Sequence, residues 1–140
     1  MAMNNKIESV TTETIKETGS YIQFHIYKLP KKNHDAMVQL NKQIMPWFEK
    51  HGGRMEFFQL SNSESIGGVE SIAKTFSVSK DEEEEELWIE LNYFRDRKHL
   101  EDIFPKMLQD ETVAPLFKQF EGLIIQGKNM ITGGFSRLKM

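Results

Sequence analysis

The stretch YIQFHIYKL, residues 21–29, has two unlike faces. With the period of two that a strand imposes, Ile22, Phe24 and Ile26 point one way, while Tyr21, Gln23, His25 and Tyr27 point the other. A strand buried on both sides would be apolar throughout, and one with a wet face would carry small polar or charged groups rather than two tyrosines and a histidine. The second face therefore reads as half-buried, in a pocket or a subunit contact. The aliphatic face reads as the one packed under helices.

Working outward, LPKKN ends the strand, and Asn33 is placed as N-cap of a helix reaching about Lys50, with Met37, Leu40, Ile44, Trp47 and Phe48 at helical spacing. His51-Gly52-Gly53 supplies the stop, and Pro46 predicts a kink or a break. Residues 54–60 read as a second strand. The long connection 61–86 has apolar points at Ile66, Val69, Ile72, Phe76 and Val78 and reads as a flap. LWIELNYFR, residues 87–95, is a third strand, and Asp96 is placed to cap a helix containing Leu100, Ile103, Phe104, Met107 and Leu108, again interrupted by a proline, Pro105. A helical turn over 113–120 takes Pro115 in its first turn, and a last strand covers about 128–138, where Gly133-Gly134 marks a bulge or a close backbone approach. Residues 1–20 read as a polar tail and 21–140 as one domain.

The order β-α-β-β-α-β predicts an α+β fold in which two helices cover one face of a four-stranded antiparallel sheet. The other face is left bare, and its expected cover is a second copy related by a two-fold axis, a homodimer with sheets face to face.

Composition excludes several classes of function. The 140 residues are 28% charged and 39% hydrophobic, with a formal net charge of -3, so no basic surface attracts nucleic acid. Without cysteine there is no disulfide framework, thiol catalysis or iron–sulfur cluster. No apolar run approaches a membrane span and the first residues lack the apolar core of a signal peptide, so the expected location is the cytosol.

The segments GKNMITGGF (127–135) and YKLPKKN (27–33), with VESIAKTFSVSKDEEE (69–84) and DRKHLED (96–102), resemble the YbaA-like proteins, an uncharacterised family of the dimeric α/β-barrel superfamily. The resemblance covers residues 21–138 and implies ferredoxin-like protomers paired into a barrel; it brings no catalytic motif. Ala73 stands where that family typically has proline, and Gln23 and His25 are unusual for its first strand.

The candidate interior combines Tyr21, Gln23, His25 and Tyr27 with Glu56 and Phe58, with Trp88, Glu90 and Asn92, and with Lys128 and Met130. His25 beside Glu56 or Glu90 forms a pair in which the carboxylate fixes the imidazole tautomer and the imidazole takes a proton; His25 and Glu90 are the candidate catalytic residues. Two readings stand. One is an enzyme of the kind common in the superfamily, a cofactor-independent monooxygenase or an isomerase acting on an aromatic or ring-ketone compound. The other is a non-catalytic metabolite-binding or stress-related module whose polar groups satisfy one another across a dimer seam. A more distant reading takes Trp88 and a helical His99 as resembling haem-degrading members of the superfamily, although their first-strand asparagine is Gln23 here; His99 is otherwise expected to be solvated, like His34, with His51 in a local capping role. Glu82–Glu86 and Asp81 read as a solvated hairpin tip, since consecutive carboxylates on a strand alternate sides. No metal or cofactor is expected.

Overall fold

The computed structural model describes residues 17–62, 67, 71–76, 84–124 and 130–140. The first sixteen residues, most of the 61–83 connection, and Lys128 lie outside the described residues, and with them the expectations of a tail and a flap. The elements run β1 (Tyr21–Pro30), a 3₁₀ turn (Lys31–Asn33), α1 (His34–Lys50), β2 (Arg54–Gln59), α2 (Ile72–Thr75), β3 (Glu85–Phe94), α3 (Arg97–Gln109), α4 (Ala114–Leu123) and β4 (Ile131–Ser136). The four strands form one antiparallel sheet in the order β2-β3-β1-β4, consistent with a ferredoxin-like fold. The expected single turn after α3 is a full helix, α4. None of the described helices is long and apolar enough to cross a membrane.

Local chemistry sets the helix ends. The Asp96 carboxylate accepts the His99 N–H at 2.8 Å and starts α3. At the end of α1, Gly52 takes φ +82°, open to glycine without strain, and the Gly53 N–H returns to the Phe48 carbonyl at 2.8 Å. His51 donates from Nδ1 to the Trp47 carbonyl at 2.8 Å and stacks on the Trp47 ring. Neither Pro46 nor Pro105 ends its helix. Each removes one backbone bond, and burial of Ile44 and Phe48 around the first and of Ile103 and Met107 around the second holds the helix together.

The core lies between the sheet and α1, α3 and α4. Tyr27, Leu29, Met55, Trp88 and Phe94 pack against Met37, Leu40, Ile44 and Phe48 of α1, Ile103 and Met107 of α3, and Leu116 of α4. This reverses the expected orientation of β1: the face of Tyr21, Gln23, His25 and Tyr27 is turned toward the protein's own helices, and Ile22, Phe24 and Ile26 face away. The reason is the rest of that face. Leu29, Trp88 and Phe94 bracket the polar residues and present the helices with more apolar surface than the short aliphatic row does.

The far face is only partly open. Ile26 and Leu87 on it are buried, while Ile131 and Phe135 are exposed and Phe135 meets Phe24 edge-on at 6.0 Å. The hairpin-tip expectation also fails in part. Glu85 and Glu86 belong to β3, and Glu86 is buried, accepting from Trp88 Nε1 at 2.9 Å and from His34 Nδ1 at 2.7 Å. A carboxylate with two good donors tolerates burial that a bare one does not. His34 is thereby tied down rather than free in solvent.

Candidate functional site

Strand register brings the polar residues into two rows on the helix-facing side. His25 stands opposite Glu90 on β3 and Thr132 on β4, and Phe57 on β2 completes that row; Gln23 stands opposite Asn92 and Gly134, with Met55 beyond Asn92. Met55 and Phe57 therefore occupy the places assigned to Glu56 and Phe58. A one-residue offset on a strand exchanges its faces. Glu56 lies on the other side, 3.6 Å from Arg54 and hydrogen-bonded by Tyr93, and Phe58 is 48% exposed.

Between these rows and the helices is a cleft of about 510 Å³. Its floor is Gln23, His25, Glu90 and Asn92, its roof includes Asn41, and its walls are aromatic, with Phe94, Phe117 and Phe120 inside and Phe104 and Met130 at the exposed rim. Of the residues expected in a pocket, Gln23, His25, Glu90, Asn92 and Met130 line this one. Tyr27 and Trp88 are core instead. Tyr27 reaches the site through its hydroxyl, and Trp88 lines a second groove on the other side of Asn41, with His34, Val38, Met45 and Phe57. Tyr21 lies over Gly134, where a Cβ would overlap its hydroxyl and stand 2.7 Å from Cζ. The two glycines are thus a close approach, and strand pairing runs through them without a bulge.

Glu90 is the electrostatic centre of the floor. The Tyr27 hydroxyl donates to Oε1 at 3.2 Å and the Asn92 amide to Oε2 at 2.9 Å. Burial pushes its carboxyl up to about 7, against the two hydrogen bonds that favour the charged form. Burial likewise raises the Tyr27 phenol, with the Glu90 charge and hydrogen bond adding to it. Burial lowers the His25 imidazole, so His25 is neutral at pH 7. His25 and Glu90 face each other in register without a hydrogen bond between them among the described contacts.

Several polar atoms of this site have no hydrogen-bond partner among the described residues: His25 Nδ1, both amide atoms of Asn41, and Asn92 Oδ1. Gln23, by contrast, donates to Thr132 Oγ1 at 2.8 Å. Asn41 is the residue the sequence reading passed over. Its signal was present, because it falls on the buried stripe of α1 between Leu40 and Ile44, where an unpartnered amide is costly.

His99 is buried rather than solvated, at 4% exposure. Its Nδ1 accepts the Arg95 N–H at 3.1 Å and its Nε2 donates to the His51 carbonyl at 2.8 Å, which ties the start of α3 to the end of α1. Both ring nitrogens are engaged. Among the described residues no three histidine, aspartate or glutamate side chains converge as metal ligands.

No protein-family model matches the chain. No curated protein matches it either.

Proposed function

We propose that the cleft binds a small molecule with an aromatic or ring-ketone skeleton and that His25 accepts a proton from it, in the manner of a cofactor-independent monooxygenase or an isomerase. The observation that carries this reading is the set of unpartnered polar atoms, on His25, Asn41 and Asn92, around one largely apolar cleft. Leaving a buried polar atom unpaired costs about 1–3 kcal/mol, and a ligand that pairs several of them recovers that cost on binding. The volume falls within the roughly 300–1,000 Å³ of small-molecule sites. A neutral imidazole with a free nitrogen is a competent proton acceptor, and a carboxyl near 7 beside it changes charge in the working range of most enzymes.

The test is a thermal-shift screen with aromatic metabolites, quinones and ring ketones, followed by solvent deuterium exchange into whatever binds. Stabilisation together with His25-dependent exchange supports the enzyme. Stabilisation without exchange leaves a binding module, a reading favoured by the fact that both Glu90 oxygens already accept hydrogen bonds. No stabilisation by any compound sinks both.

We also infer a homodimer of the dimeric α/β-barrel type. The exposed Ile131 and Phe135, beside Phe24 on a sheet face, form a patch suited to self-association about a two-fold axis.

A further inference from the structure

We propose that the ligand's polar end is a hydrogen-bond donor, a protonated amine, which enters the cleft ammonium first and pairs with Glu90. This rests on the reading of the cleft as a ligand site and narrows its ligand to an amine with an aromatic skeleton, setting the ring ketone aside.

The free hydrogen-bonding capacity of the floor and roof is mostly accepting. Asn92 spends one of its two amide N–H groups on Glu90, and its Oδ1 is left without a partner among the described residues. Asn41 adds one more oxygen, and His25 Nδ1 a lone pair in one of its neutral tautomers. Glu90 itself has about four lone-pair sites, of which Tyr27 and Asn92 fill two. Against these stand fewer donors: the two N–H of the Asn41 amide, the second N–H of Asn92 and the one N–H that a neutral imidazole keeps on His25. An ammonium, with three donors and no acceptor, matches this imbalance better than a carbonyl, and far better than a carboxylate.

Charge points the same way. No lysine or arginine lines the cleft among the described residues, so the buried carboxyl of Glu90 has only neutral partners. A buried carboxylate without a counter-charge is costly, and an incoming cation removes that cost. The walls favour a cation too: Phe94, Phe117 and Phe120 present aromatic rings, whose faces attract positive charge in a desolvated site. The titratable groups around Glu90 are few. β1 contributes His25, neutral at pH 7, and Tyr27, whose phenol stays protonated; α3 contributes Glu101 at the exposed rim, bridged to Arg97 at 3.1 Å. The lining residues from α1, α4 and β2 include none.

Binding an ammonium requires ionised Glu90. With its carboxyl near 7, the competent fraction is about one tenth at pH 6 and about nine tenths at pH 8, so affinity should rise roughly tenfold across that range. A neutral carbonyl ligand would behave oppositely, since it needs the protonated acid as donor.

Calorimetric titration of the full chain with 2-phenylethylamine, 2-phenylethanol and phenylacetate, three ligands of nearly one shape, tests this. The expected result is that the amine binds at least tenfold tighter than the alcohol at pH 8, weakens roughly tenfold at pH 6, and releases about one proton per site there. Glu90→Gln should bring the amine down to the level of the alcohol. If that variant does not fold, the wild-type pH series and the ligand ranking decide alone. Alcohol or carboxylate binding as tightly as the amine, or an amine affinity that is flat or falls from pH 6 to 8, overturns the proposal while leaving the cleft a ligand site. Absence of heat with all three ligands at millimolar concentration overturns both.

Discussion

The Tyr27 hydroxyl donates to Glu90 Oε1 at 3.2 Å from a ring that is itself almost wholly buried, so a core residue supplies part of the site's electrostatics. The ring is held edge-on by Phe120 at 5.1 Å and lies beside Trp88. Removing the hydroxyl should leave this packing intact. Tyr27→Phe is therefore expected to cost about 1.5–3 kcal/mol at pH 8, where Glu90 is ionised, and less at pH 6. Urea denaturation at the two pH values measures it; an equal cost at both would mean that the bond is not charge-assisted.

Glu90 and His25 pull stability in opposite directions with pH. The Glu90 carboxyl binds its proton more tightly in the fold, about 7 against 4.5, so its contribution falls as pH rises through that window, by on the order of 3 kcal/mol in total. His25 has a depressed folded value, and the unfolded chain takes up its proton first as pH falls below 6.5, so its contribution rises with pH up to that point. In wild type the two slopes offset. Glu90→Gln should expose the rising limb and His25→Gln the falling one, read from chemical denaturation between pH 5 and 8. Superimposable profiles for wild type and Glu90→Gln would refute the assignment.

His99 should matter for stability and not for ligands. His99→Ala removes two part-buried hydrogen bonds and the edge-on contact with Phe94, an expected loss of about 2–4 kcal/mol. Haemin added to the wild type should give no Soret shift that depends on His99. A shift lost in the variant would show that the ring leaves its backbone partners.

Gly134→Ala places a methyl group into the Tyr21 hydroxyl and should cost roughly 1–3 kcal/mol, with β4 loosened from β1. The penalty should disappear in a Tyr21→Ala background. A double-mutant cycle reads the coupling directly, and additivity of the two changes would exclude the close approach as its cause.

Phe135→Glu should yield a monomer by size exclusion with light scattering, while ligand binding in the cleft persists, because Phe135 and the cleft lie on opposite faces of the sheet. A wild-type monomer at micromolar concentration would end the dimer proposal.

Much of this architecture could be read from alternation and punctuation. The strands fall where period-two runs lie, Asp96 caps as expected, and His51-Gly52-Gly53 ends α1. Orientation could not be read so well. Alternation in residues 21–29 distinguishes two faces without saying which meets the helices, and the assumption that aliphatic means core chose the wrong one. The large apolar surfaces of Leu29, Trp88 and Phe94 decided it, and their combined weight becomes visible only once register places them together. The same limit explains Glu56 and Phe58, since nothing local fixes the phase of a six-residue edge strand. The buried state of Glu86 and His99 was equally hidden, because each depends on donors or acceptors far away in sequence.

Asn41 borders both the cleft and the groove beside Trp88. Its side chain is a shared partition between two hollows, so its bulk matters as well as its unpartnered amide. A glycine there is expected to join the two hollows. One side chain on α1 thus bears on the shape of both hollows at once.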